Sequence, residues 1–178
     1  MKDILLSTML ILLFGAIASS QGKSTSNDSL PDLQAWLAKS MKKYGTYSQG
    51  VVEHRISKVQ FSGCRMNFDL TGTAAASYEG GMRNITTSSI TFELSDLDSN
   101  RISERIAIDS DVRTLLVNAI DGKEVVSSRV NRYFAEPIST LERSVSITVR
   151  KRIATEMKTK LMSAIKACQQ MPSSQPGK

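Results

Sequence analysis

Two cysteines, one histidine and a run of three cations are the residues of this 178-residue chain best suited to chemistry. The cysteines are Cys64 and Cys168. An even pair reads as a disulfide in an oxidising compartment and as two buried free thiols otherwise. His54 alternates with Val52 and Ile56, which makes it a packed, hydrogen-bonded histidine on an apolar strand face rather than a base. Nucleophilic catalysis needs a nucleophile, a base and an orienting group, and no Gly-x-Ser-x-Gly elbow is present. A zinc site wants three or four His, Cys or acid ligands, which one histidine and two paired cysteines do not supply. The stretch Asp96-Leu97-Asp98-Ser99-Asn100 opens like a calcium loop. Arg101 then stands where glycine is required and Ala107 where a bidentate Glu is required, so it reads as a polar turn between strands. Glu79, Glu93, Asp96, Asp98, Glu104, Asp109 and Asp111 are scattered near strand ends. Paired-acid hydrolysis needs two carboxyls at a set separation in a cleft. With no glycine-rich phosphate loop or dinucleotide fingerprint, the sequence assigns no catalytic, metal or cofactor residue.

Arg150-Lys151-Arg152 is different, because it breaks a local rule. A helix starting near residue 150 would hold three cations at its positive end, which the macrodipole disfavours. An anion at that end would resolve the conflict, since helix N-termini offer free N–H donors. The candidates are phosphate, an anionic lipid headgroup or an acidic polymer. The alternative is three solvated charges in a loop or mid-helix, with the helix starting instead at the Ser139-x-x-Glu142 capping-box pattern.

The elements that position these groups follow from periodicity. Leu30, Leu33, Trp36, Leu37, Met41 and Tyr44 recur at helical spacing over 30–44, with Ser29 and Asp32 as a capping pair, Pro31 in the first turn and Gly45 at the exit. From 50 to 134 the pattern alternates as strands do. Val52-His54-Ile56, Cys64-Met66-Phe68-Leu70 and Ile90-Phe92-Leu94 each put apolar residues on one face, and Ile102, Ile106 and Ile108 mark another strand less regularly. Residues 112–120 and 123–130 flank Asp121-Gly122, a strong hairpin signal because a type I′ turn needs positive φ twice. Gly80-Gly81 and Asp98-Ser99-Asn100 are further turn candidates. Residues 144–149 alternate once more. A helix over 150–170 then presents Ile153, Met157, Leu161, Ala164, Ile165 and Cys168 as one stripe, stopped by Pro172. Cys64 and Cys168 both fall on apolar faces, so a bridge would staple the last helix to the sheet. The expected fold is α+β: an N-terminal helix, an antiparallel sheet of six or seven strands, and a C-terminal helix packed on it. The element order resembles a pleckstrin-homology-like barrel.

The N-terminus reads as a cleavable secretory signal. Lys2 precedes an apolar run from Ile4 to Ala18 that ends in small residues, with cleavage after Ala18 or Ser20. The run is about 15 residues, short of the roughly 20 that span a bilayer. Residues 1–20 are then the signal, 21–29 a polar linker, 30–171 a single domain and 172–178 a polar tail. Asn27-Asp28-Ser29 and Asn84-Ile85-Thr86 match the glycosylation sequon, which carries meaning only in a eukaryotic host. The net charge of +6 is unevenly placed. From Arg143 onward eight Lys/Arg face one acid, a surplus of seven, which leaves residues 1–142 one charge negative. Low aromatic content and the absence of a reader motif speak against nucleic acid as partner.

Four features together resemble a group of small exported bacterial proteins of unknown function. They are Trp36-Leu37 in the first helix, Cys64 opening a strand, Phe92-Glu93-Leu94-Ser95-Asp96-Leu97-Asp98, and Ala164-Ile165-Lys166-Ala167-Cys168 ending the last helix. The resemblance spans most of 33–168. It implies a disulfide between the two cysteine positions and a bacterial source, and it brings no catalytic residues. This chain departs from the group in its longer, more basic stretch before the final helix.

The function expected from sequence is an exported, periplasmic or extracellular, non-catalytic binding or interaction domain. Its ligand would be a partner protein, or an apolar or anionic small molecule held between sheet and helix. Two alternatives stand beside it: electrostatic binding to an anionic envelope surface through the basic C-terminal helix, and a hydrolase built on an acid pair or on His54 with a nearby serine.

Overall fold

A computed structural model describes residues 28–74, 85–106, 111–132 and 135–171. The signal segment 1–20, most of the linker, the tail 172–178, the Gly80-Gly81 turn, Ile108, Asn27 and Asn84 lie outside the described residues.

The first helix, α1, spans Leu30–Tyr44. Ser29 caps it, accepting from the Asp32 backbone N–H at 3.4 Å while donating its hydroxyl to the Asp32 carboxylate at 2.5 Å. Leu33, Leu37 and Met41, spaced four apart, form its buried edge. Gly45 ends the helix by donating to the Met41 carbonyl at 2.8 Å, and its own carbonyl accepts from Ile56 at 3.0 Å. A Cβ at Gly45 would lie 2.5 Å from the Met41 carbonyl oxygen and 2.8 Å from Ile56 Cβ. Only glycine permits this close approach of helix end to sheet.

Among the described residues nine strands follow: β1 (Thr46–Gln49), β2 (Val52–Ser62), β3 (Arg65–Ala74), β4 (Ile85–Glu93), β5 (Leu97–Ile106), β6 (Val112–Ala119), β7 (Val126–Arg132), β8 (Ala135–Glu142) and β9 (Ser144–Arg150). The last helix, α2, spans Lys151–Gln170. The fold is α+β with antiparallel pairing throughout, as the alternation implies. The strands form two sheets, one of six in the order β1-β2-β3-β4-β7-β8 and one of three in the order β5-β6-β9, and they do not close into a barrel.

The division into two sheets has a local cause. A single 3-10 turn at Leu94–Asp96 carries the chain from β4 out of the larger sheet into β5 of the smaller one. The turn at Ile120–Gly122 carries it back from β6 to β7, and Arg143 carries it out again from β8 to β9. Asp121 and Gly122 do adopt positive φ, 55° and 66°. Yet β6 and β7 are not partners, so Asp121-Gly122 is a corner between sheets rather than a hairpin. The polar turn expected at Asp98–Asn100 is instead the irregular start of β5, where the Asp98 carboxylate accepts from the Asn100 N–H at 2.9 Å. The capping-box pattern at Ser139 and Glu142 lies within β8.

The larger sheet has an apolar inner face and a polar outer one. In register, Ile56, Leu70, Ser88, Val130 and Ile138 share the inner face, while Ser57, Asp69, Ser89, Arg129 and Ser139 share the outer. A bulge in β2 at Lys58 lets its ammonium reach the Asp69 carboxylate at 2.9 Å. Helix α1 packs on β2 and on α2, and α2 packs on β5, β6, β9 and the 94–96 turn. The core between them holds Met66, Phe68, Phe92, Leu94, Leu115, Ile147, Met157, Leu161 and Ile165.

Cys64 and Cys168 are bonded, with a Cα–Cα distance of 5.7 Å, and stand 104 residues apart in sequence. The bridge joins the β2–β3 turn to the last turn of α2. Asp28, in the expected linker, pairs with Lys160 of α2 and so docks the chain's entry onto the exit helix.

A cross-link closing about 100 residues restricts the unfolded chain by roughly 4–5 kcal/mol. Reduction, or Cys64→Ser with Cys168→Ser, should therefore lower the melting temperature by roughly 10 °C in a scanning calorimeter, at about 2–4 °C per kcal/mol for a chain this size. Gly45→Ala, which adds only a methyl, should cost about 1–3 kcal/mol in a urea titration through overpacking against Ile56.

Candidate functional site

The site with the clearest electrostatic signature lies where β9 turns into α2. Val112 of β6 pairs with Arg150 of β9, which fixes the end of the strand beside the start of β6. The helix begins at the next residue, and the Lys151 N–H donates to the Asp111 carbonyl at 2.7 Å. Four first-turn N–H groups of any α-helix lack intrahelical acceptors. A side-chain oxygen at the N-cap usually takes one, but the N-cap here is Arg150, which has no acceptor to offer. The first turn carries no acid. The three cations expected from sequence thus stand at the positive end of a 20-residue helix.

A cavity of about 720 Å³ is lined, among the described residues, by Asp111, Arg150, Lys151 and Arg152. The Arg152 guanidinium lies over the ring of Tyr44 at 4.9 Å, and the Lys43 ammonium sits 5.1 Å from the same ring. Tyr44 is half-buried at the end of α1. The π-face of its ring lowers the cost of holding two cations near each other. Cations at a helix start beside a cavity of this size are the elements of an anion site with room for more than an inorganic ion, and the Asp111 carboxylate offsets part of their charge.

Sequence reasoning found the three cations and missed their neighbours. Asp111 looked like one acid among several, and Tyr44 like a core residue of α1. Each joins the site through a contact across the fold, and neither leaves a mark on local sequence.

The remaining candidates lie elsewhere. His54, half-buried, stacks on Tyr47 of β1 with ring centroids 4.9 Å apart and planes 15° from parallel. Gly72 lies across from it, where a Cβ would sit 3.5 Å from Nδ1, at ordinary contact distance. Burial holds the His54 pKa below its ordinary 6.5. Burial likewise raises Tyr47, opposed by a hydrogen bond with Thr148 of β9. Thr148 and Thr114 are in turn 2.9 Å apart, so a polar seam runs from the edge of the larger sheet into the smaller. Three of the scattered acids sit in ion pairs: Glu93 with Arg65 at 2.7 Å, Asp98 with Arg101 at 3.4 Å and Glu104 with Arg113 at 3.4 Å. Glu79 and Asp109 lie outside the described residues. Among the described residues no three His, Cys, Asp or Glu side chains gather as a metal site, and no helix is long and apolar enough to cross a membrane.

Comparison with protein-family models, with curated proteins and with solved structures finds no match to this chain.

The imidazole environment has a pH consequence. Because folding lowers the His54 pKa, the unfolded chain binds this proton more readily, and stability rises with pH across the interval. The contribution is complete above the unfolded value of 6.5 and is lost as pH falls toward the folded one. Melting temperatures of wild type and His54→Gln, measured from pH 7.5 to 5, should show wild type losing ground to the variant on acidification; parallel curves would rule this out.

Proposed function

We propose that this chain is an exported, non-catalytic binding domain, and that its ligand carries an anionic group received at the N-terminal end of α2. The observation that carries this reading is the cavity of about 720 Å³ at a helix start whose N-cap residue offers no side-chain acceptor, lined among the described residues by Arg150, Lys151 and Arg152 with Asp111. An unliganded helix start of this kind is electrostatically costly. A bound phosphate or carboxylate converts that cost into affinity. The volume falls within the usual range of small-molecule sites, so the anionic group is one end of a larger ligand. The export part of the proposal rests on the signal-like segment 1–20, and the disulfide is compatible with it.

Adhesion to an anionic surface through the length of α2 is the second reading, and the exposed Lys166 favours it. Lys160 contributes less to such a surface, because Asp28 neutralises it.

The test uses the full mature chain with two probes, inorganic phosphate and phosphatidylglycerol vesicles. Arg150→Gln/Lys151→Gln/Arg152→Gln should abolish binding of both, and added salt should weaken it, since exposed charges are screened beyond about 8 Å at physiological ionic strength. Vesicle binding that survives the triple variant and disappears with Lys158→Gln/Lys166→Gln would move the function to the helix surface. Failure of wild type to bind either probe would overturn the anionic reading.

A further inference from the structure

The outer strand of the larger sheet is unlike every other strand in the fold. All eight residues of β8 are exposed, so it buries almost nothing and is held by its ladder to β7. The opposite edge, β1, is four residues long and runs beside β9. Among the described residues no strand pairs with the other side of β8, which presents about 27 Å of backbone edge at 3.4 Å per residue, with Ile138 48% and Leu141 60% exposed. Unpaired edges of this kind are templates for another strand.

We infer that the strand added there is β8 of a second copy of this chain, and its own residue pattern specifies the register. Pairing to β7 is regular only from Ile138 to Glu142; a bulge follows, beside Pro137. Pro137 has no N–H and marks the end of the usable edge. A two-fold axis perpendicular to the sheet keeps inner face opposite inner face, so a symmetric seam must centre on a residue. Centred on Ser139, it would set Glu136 against Glu142 of the second copy, and like charges directly opposite are destabilising. Centred on Thr140, it uses only the regular run. Thr140 then meets its own copy, Ile138 lies opposite Glu142, and Ser139 lies opposite Leu141. The two Leu141 side chains flank the axis on the outer face as diagonal neighbours, within reach of long side chains. No acid faces an acid. The regular run, whose midpoint is Thr140, and the charge pattern therefore agree on one seam, and through it the two six-stranded sheets become one of twelve.

A single seam of this length lies at the small end of specific interfaces, so association is reversible and follows concentration. Sedimentation of the full mature chain from micromolar to millimolar concentration should show monomer passing to dimer. Amide exchange at residues 138–142 should slow over the same range. The register makes two exposed substitutions act in opposite directions. Leu141→Lys sets two ammonium groups together across the axis and should leave the chain monomeric at every concentration. Ile138→Lys places an ammonium opposite Glu142 and should retain or strengthen the dimer. Neither side chain supports the core, so circular dichroism should be unchanged in both. A wild-type chain that stays monomeric, or a dimer on which the two lysines act alike, overturns the inference. Neither result bears on the cationic cavity, which lies at the start of α2.

Discussion

The covalent bond between Cys64 and Cys168 gathers the fold at one point. The turn that carries Cys64 lies at the meeting of both helices and both sheets. Leu94, at the first corner between sheets, donates its N–H to the Cys64 carbonyl at 2.9 Å. Gln34 of α1 donates to the adjacent Gly63 carbonyl at 2.7 Å. One residue beyond Cys168, Gln169 donates to the Leu97 carbonyl where β5 begins, at 2.8 Å. The disulfide thus anchors four elements whose hydrogen bonds alone would be separately weak, each worth about 1 kcal/mol net. The α2 stripe from Ala154 to Cys168 is then held against the core from its far end as well as by burial.

Electrostatics at the other end of the same helix work in the opposite sense. Where Cys168 fixes α2, Arg150, Lys151 and Arg152 load its start with charge of the unfavourable sign. Tyr44 and Asp111 temper this without removing it. Natural sequences usually agree with themselves at every level, and a persistent local conflict is where function tends to lie. The uneven charge, with the whole net surplus C-terminal to Glu142, belongs to the same conflict.

What could be read in advance divides by the range of the interaction. Both helices were legible, because the spacing of Leu33, Leu37 and Met41 and the Ser29–Asp32 cap are encoded within a few turns. The pairing of the cysteines was legible from their faces and number. Asp121-Gly122 shows the limit. Its two positive φ angles were readable, but which strands lie on either side of the corner depends on partners far away in sequence, β9 for β6 and β4 for β7. Strand β8 left no alternating trace because neither of its faces is covered, and Ser139 with Glu142 imitated a helix start. The cations of the candidate site stood out through a broken rule, whereas Tyr44 and Asp111 are recruited by tertiary contact alone.

The three crossings between the sheets impose an order on assembly. Strand β9 and helix α2 are the last described parts of the chain to be synthesised, yet β9 completes the smaller sheet against β6, and α2 fills the core for both helices and that sheet. Before residue 144 the described chain holds α1 and eight strands, and the apolar faces that β9 and α2 cover are still open. The smaller sheet and the part of the core beneath α2 therefore cannot close before these elements arrive. They are complete only when the final 28 described residues, 144–171, arrive, and until then the thiol of Cys64 waits for a partner not yet made.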